Sequence, residues 1–558
     1  MDRRDFLTAK RKQTASASPA APAPFRTNTG ISPYTGPWTK HEVIHLLKRT
    51  MFGAKPDDVN YFAGLTMNQA IDELLTLPSA PPPPPVKNYN NNNIDPGDPD
   101  YNIALGQTWV NINTNDGTAD FKRNRSFKAW WMGLLINQER NIREKMVVFW
   151  HNHFATQANE LGRAIWAYQN NVLLRQYALG NFKELTKQVT LDPGMLRYLN
   201  GYLNNKNAPD ENYSRELQEL FTLGKENNPN YNENDVKEAA RVLTGWKING
   251  TTNTSYFNAN QHDTGNKQFS SFYNNTVIAG RSGSSGGLLE LDDLLNMIFS
   301  KQQEVSRFIV KKLYRYFVYY KIDAAAEANV IEPLAQLLRS SNWEIKPVVE
   351  TLLKSEHFFD AANQGCFIKT PVDLAVGLCR EYGIVFPPSS DITGSYAMWD
   401  FIHQVGTVLQ QELGDPPDVA GWKAFYQEPQ YYETWINSDT LSFRNLFTDI
   451  MIGSGYTAGG KTIIINPVEF TKTLPDPGNP NLLISDALKI LYRIDLKPET
   501  QAAIKKQILL SNQDQDYYWT NAWYTYIANP TQQNFQVVYV RLRDLYKYFM
   551  NLSEYHLC

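Results

Sequence analysis

From about Trp38 onward, apolar residues recur at the three- and four-residue intervals of helices packed on one face. Val43, Leu46, Leu47, Thr50 and Met51 in KHEVIHLLKRTMFG predict a helix with Thr39 as N-cap and Gly53 as stop. Two short helices follow over 57–62 and 67–75. Trp130, Leu134, Leu135, Met146, Val147 and Trp150 carry the same period through 122–158. Further helices are predicted over 164–178, 182–190, 213–223 and 233–244, then 288–299, 304–319, 324–340, 345–354, 371–382, 398–413, 438–450, 484–491, 498–511 and 532–550. Residues 247–287 break the pattern. They are rich in Asn, Gly, Ser and Thr, with β-prone pieces at 256–257 and 276–278, and read as an irregular loop or small hairpin. There is no βαβ rhythm and no fixed-period repeat. The expected fold is mainly α: a large irregular multi-helix domain with long loops and at most a small β-hairpin.

This pattern divides the chain into a disordered segment over 1–37, a helical hairpin over 38–77, a Pro/Asn-rich surface excursion over 78–121, and a main helical body over 122–558 that carries the loop insertion 247–287. The excursion holds five consecutive prolines at 81–85, a polyproline II signal, and an Asn run at 90–93. The start, MDRRDFL, looks like a twin-arginine export motif, but TAKRKQTASASPAAPAP after it has no apolar stretch. Export and a basic tail both stay open.

The 558 residues carry 54 Lys plus Arg against 57 Asp plus Glu, which gives no basic excess for nucleic acid. Three cysteines without a CxxC exclude a disulfide scaffold and a cysteine zinc site. No apolar run is long enough for a transmembrane helix. Aromatics reach 13%, which suits a large core or a surface facing sugar or peptide.

With eight histidines in the chain, their positions are informative. His151 and His153 flank Asn152 inside an apolar run, where polar groups need buried partners or a use. At about 100° per residue, Asn212, Glu216, Glu219 and Leu223 share roughly 60° of helix surface. Two inward carboxylates there need a cation, a proton or an arginine such as Arg215 between them. His262 and Asp263 lie in the irregular loop, as a ligand pair or as an Asx turn with an exposed histidine. His41 with His45, Glu356-His357 and His403 are weaker candidates, for a helix face, a cap and a core histidine respectively. No G-x-S-x-G, H-E-x-x-H or Walker loop occurs.

Seven segments occur in order: HLLKRTMFG, REKMVVFWHNHFA, NYSRELQELFTLG, DVKEAARVLTGW, HDTGNKQF, LGDPPDVAGW and WINSDTLSFR. Together with the RRDFL start they resemble the bacterial family called domain of unknown function 1800. The resemblance implies a mainly helical protein, an extracytoplasmic (periplasmic or cell-surface) location, and a partner from the exported family called domain of unknown function 1501, which is related to phosphatases and sulfatases. It implies no established activity. LTGW and DPPDVAGW read as structural turns, with Gly245 and Gly421 supplying backbone freedom and Trp246 and Trp422 anchoring them.

Two functions are then open. In a metal-assisted hydrolase, His151, His153, Glu216, Glu219 and His262 would hold zinc, manganese or iron. Glu216, Glu219, His262 and Asp263 would carry the chemistry, supported by Asn212 and Arg215. Iron would equally admit oxidative chemistry. The His-Asp pair sits in a loop rather than on a helix, so the HD-type phosphohydrolases are not assigned. In the alternative, the protein is a non-catalytic assembly or polysaccharide-binding partner of the exported phosphatase-like protein, or binds peptide, and the polar clusters are internal ion pairs. Convergence of the three segments beside a cavity would favour the first. An arginine, Arg215 or Arg241, at that point would favour the second.

Overall fold

The computed structural model describes residues 30–90, 95–224 and 231–558. The twin-arginine-like start and residues 91–94 of the Asn-rich run lie outside them. Helices run from Lys40–Thr50 to Gln532–Met550, and the mainly α expectation holds. Three antiparallel two-stranded ribbons interrupt them: Trp246–Asn249 with Thr254–Phe257, Lys267–Gln268 with Val277–Ile278, and Tyr456–Ala458 with Lys461–Ile463. The irregular loop therefore holds two ribbons, and the third went unpredicted. Strands this short show too few alternations to declare a period.

Thr39 caps the first helix in a capping box with Glu42, as its position predicts. Two helices form the centre. Fourteen of the 20 residues of Gly117–Ile136 are buried, with Ile392–Val408 packed against it. In Arg143–His153, ten of 11 are buried. A helix covered on all sides belongs to the interior. The charges it carries must be paired there: Glu144 Oε2 accepts from Arg175 Nη2 at 2.8 Å, and Lys145 pairs with Asp373.

Three predicted helices widen into π turns, at Leu217–Thr222, Glu327–Ile331 and Lys505–Leu509. At the second, Pro333 has no N–H to donate one turn back, which removes an α-type bond. The helix predicted over 398–413 spans Ile392–Val408 instead, because Asp391 Oδ1 accepts from Gly394 N at 3.0 Å and starts it earlier. Pro193–Tyr198, Pro467–Lys472 and Tyr517–Ala528 were not predicted. The first two are single turns and a half, and the third leaves Tyr517 and Tyr524 exposed.

The Pro-rich stretch is packed onto the body. Trp130 Nε1 donates to Pro83 O at 2.7 Å, and Lys87 is buried on the carbonyls of Asp100 and Ile103, both at 2.9 Å. Among the described residues no helix is long and apolar enough to cross a membrane.

Candidate functional site

The His-Asn-His triplet ends the central helix, and its three side chains serve three different segments. The His151 ring packs edge-on against Trp131 and Trp422, with centroids 5.1 and 5.8 Å away. Burial, with Lys128 nearby, drives its pKa down to about 3, so it is neutral in the fold. Asn152 Oδ1 accepts from Trp422 N at 2.9 Å. Gly421, at φ +87°, lies so close to Asn152 that any Cβ would overlap its carbonyl oxygen. His153 Nε2 donates to Phe221 O at 3.0 Å, and Nδ1 faces Lys312 Nζ at 3.1 Å. One nitrogen donates and the other accepts, which is the neutral tautomer. Burial and Lys312 hold its pKa well below the usual histidine range. Both nitrogens are engaged, so a metal could bind only by displacing one of these bonds.

The second segment changes register. Its helix is α only over Asn212–Glu216 and then π over Leu217–Thr222, with Leu223 N donating to Gln218 O at 2.9 Å. The shared arc predicted for Asn212, Glu216, Glu219 and Leu223 assumed a uniform 100° step, and the π turn breaks it. Asn212 is exposed, Glu216 and Glu219 are half-buried, and Leu223 is in the core. Arg215 reaches Glu233 at 2.7 Å and Glu211 at 3.1 Å. The polar side chains turned inward are Ser214, Gln218 and Thr222, and Gln218 accepts from the Tyr273 hydroxyl at 2.7 Å.

The third segment forms a closed network. His262 Nδ1 donates to Thr244 O at 2.8 Å, and Nε2 faces Glu290 Oε1 at 3.0 Å. Glu290 Oε2 accepts from Lys267 Nζ at 2.5 Å, and Oε1 also accepts from Arg281 N at 2.6 Å. Both histidine nitrogens face oxygens, those of Thr244 and Glu290. Glu290 is fully buried, yet His262 and Lys267 overcome that desolvation and hold its carboxyl below the usual range. Asp263 joins this network only through its backbone, its N donating to Thr244 Oγ1 at 2.9 Å and its carbonyl accepting from Lys267, while its side chain turns elsewhere. It is bound by Arg241, Nε to Oδ2 2.8 Å and Nη2 to Oδ1 3.2 Å, which lowers its pKa against the opposing effect of burial, and it accepts from Gly265 N in the predicted turn. Gly245, at φ +93°, closes the site: a Cβ would lie 2.9 Å from Asn258 O.

Glu290 and Lys267 escaped the sequence reading. The signal was a lone acid between Leu289 and Leu291, four residues from Gly286 and Leu294 on the buried stripe. The weaker histidines also hold the fold. His45 Nε2 donates to Phe358 O and His403 Nε2 to Leu413 O, both at 3.0 Å. His357 meets the Tyr314 hydroxyl, and the exposed His41 meets Gln364. Glu356 accepts from Thr35 N at 2.6 Å, a tether rather than a helix cap. His151, His153 and His262 thus have different partners, and His153 meets the 217–222 turn through Phe221 O. Among the described residues no three His, Cys, Asp or Glu side chains form a group that could hold a metal ion.

A different place has the shape of a site. A cleft of about 540 Å3, mouth included, opens where the first helix, the central helix, the end of Gln302–Phe317 and the segment around 424–435 meet. Rings wall it: Tyr320 packs on Tyr432 and Tyr431 with centroids at 4.9 and 5.5 Å, and Phe367 meets Tyr432 at 5.3 Å. Trp435, Phe425 and Tyr316 continue the wall. Lys48, Arg49, Lys145 and Arg315 line it, with Asp373 as the only carboxylate side chain in the lining. The Arg49 guanidinium lies 4.4 Å above Phe367, and that of Arg315 lies 5.3 Å from the Tyr431 ring centre.

The family described as protein of unknown function (DUF1800) matches residues 45–555. The chain belongs to that family. No curated protein and no solved structure matches it. In this DUF1800 protein, three of the seven quoted segments meet at or directly behind the cleft. HLLKRTMFG supplies Lys48 and Arg49, REKMVVFWHNHFA supplies Lys145, and WINSDTLSFR supplies Trp435 and, behind it, Arg444. Burial pulls Lys48 down to about 8 against the attraction of Glu381, and pulls Arg444 down to about 9. The cleft residues come from six stretches between 48 and 558, and no local period announces them.

Proposed function

We propose that this protein binds carbohydrate without transforming it, and that the aromatic cleft is where it does so. The observation that carries this reading is the lining: tyrosine, phenylalanine and tryptophan faces beside cationic donors, around a shallow concave opening. Flat aromatic faces suit the apolar C–H faces of sugar rings, and tyrosine hydroxyls with nearby cations suit their oxygens. The polar groups of the metal-hydrolase reading support a binding protein instead. Arg241 occupies Asp263, and both nitrogens of His153 and of His262 are engaged within the fold.

The test is affinity electrophoresis of the full chain through gels containing individual soluble polysaccharides, beside a Tyr320→Ala, Tyr432→Ala double variant of unchanged circular dichroism. At least one polysaccharide should retard the wild type, and the variant should run as in a plain gel. Retardation that survives in the variant, or none with any polysaccharide, removes the reading.

A further inference from the structure

The charge around the cleft is unevenly matched. Lys48, Arg49, Lys145, Lys369 and Arg444 are all buried in or directly behind it, none more than 4% exposed. Two of them have side-chain carboxylates in ion pairs: Lys48 with Glu381, and Lys145 with Asp373. Arg49 donates from Nη2 to Asn363 O at 2.9 Å, to Cys558 O at 3.1 Å and to Cys366 Sγ at 3.3 Å. Its Nε has no hydrogen-bond partner among the described residues, and the same holds for Nε and Nη1 of Arg444. Arg444 Nη2 donates to Lys369 O at 2.9 Å, and Lys369 lies 4.0 Å over the Tyr555 ring. Among the described residues these five cations have two carboxylate side chains in ion pairs, and a terminal carboxylate of Cys558 would make a third anion.

Burying unmatched cations is costly, and a site keeps such a surplus where an anion completes it. Neighbouring groups register the field. His556 is held well below the usual histidine range by burial, then by Arg444 and Lys369. The aromatic wall adjoins this field, and Arg49 belongs to both, lying on Phe367 while lining the cleft.

We infer that the cleft selects an acidic sugar, a uronate or a sulfate ester, with the ring face on Tyr320 and Tyr432 and the acid group directed to Arg49 and Arg315. This rests on the carbohydrate-binding reading and adds the sign of the ligand's charge. The enclosed part of the cleft, about 40 Å3, admits only a few non-hydrogen atoms. That fits a carboxylate or sulfate at the bottom with the ring nearer the mouth.

Isothermal titration of the full chain tests it with five probes: trigalacturonate, a chondroitin sulfate tetrasaccharide, the neutral sugars galactotriose and cellotriose, and inorganic sulfate. At least one acidic sugar should bind about tenfold or more tightly than both neutral ones, and added salt should weaken it. Arg315→Gln, at a half-exposed position, should erase that advantage. Arg49→Lys, checked for folding by its melting curve, should weaken the acidic sugar too, because lysine lacks the two-pronged donor. Equal affinity for acidic and neutral sugars would leave the carbohydrate reading standing and overturn the charge selection. Acidic sugars bound equally by wild type and both arginine variants would overturn it as well. Sulfate alone binding as tightly as the sulfated sugar would overturn the sugar class, and no binding of any probe would remove both proposals.

Discussion

Asn152 shows how a residue between two candidate ligands can matter more to the fold than to chemistry. Its carboxamide holds Trp422 N, and its backbone sits against Gly421. Asn152→Ala should cost about 1–3 kcal/mol, the price of a buried donor left unmatched, measured by urea unfolding. Glu290 is a sharper case. Glu290→Gln leaves Lys267 and His262 buried beside a neutral amide, and should cost about 3–5 kcal/mol. Asp263→Asn, in a partly solvated pair with Arg241, should cost about 1 kcal/mol or less. A reversed order in the same unfolding series would mean that Asp263, not Glu290, anchors the loop. At this scale the sequence showed which segments carry unusual polar groups. It did not show their partners, because Arg241 and Lys312 reach theirs only through tertiary packing.

At the scale of elements, the helices were legible where one face alternates with solvent, as in Gln532–Met550. They were harder to bound where a turn widens or every face is covered. The π turn at Leu217–Thr222 matters most, since it separates Glu216 and Glu219 from the line they would share on a regular helix. The glycine turns were readable because their φ values exclude a side chain. Gly245→Ala and Gly421→Ala should each lower stability by about 1–3 kcal/mol, read as a drop in Tm. Gly245→Ala should in addition speed proteolysis within 246–283, because that turn fastens the His262 loop to the body. Unchanged cleavage with a lowered Tm would place the strain elsewhere than in the loop's attachment.

For the whole molecule, acid should be the weak side. Burial holds His45, His151, His153, His403 and His556 below the ordinary histidine value, so each is neutral in the fold. An unfolded chain protonates these groups near pH 6.5, while folded His151 does so only near pH 3. Between those values the unfolded state binds more protons, so stability falls as pH falls. Asp192, raised by burial to about 6, acts oppositely: its contribution is present below about 3.8 and lost as pH rises through 6. Five histidines outweigh it. Tm should therefore be lower at about pH 5 than at about pH 7.5, and His151→Phe should narrow that gap. A Tm that stays flat or rises on acidification would show that these rings are charged in the fold.

The sequence by itself determined the helical class, most helix positions, the two glycine turns and the family. Each of these is written in local spacing or in a contiguous motif, and needs no knowledge of what lies across the core. Only the tertiary structure decided what the polar motifs do, because a buried histidine or carboxylate is defined by the group it meets, and Glu290, Phe221 and Trp422 are tens to hundreds of residues away from their partners. It alone assembled the cleft, since Lys48, Lys145, Tyr320, Phe367 and Trp435 become neighbours only when the first helix, the central helix and the 424–435 segment pack together.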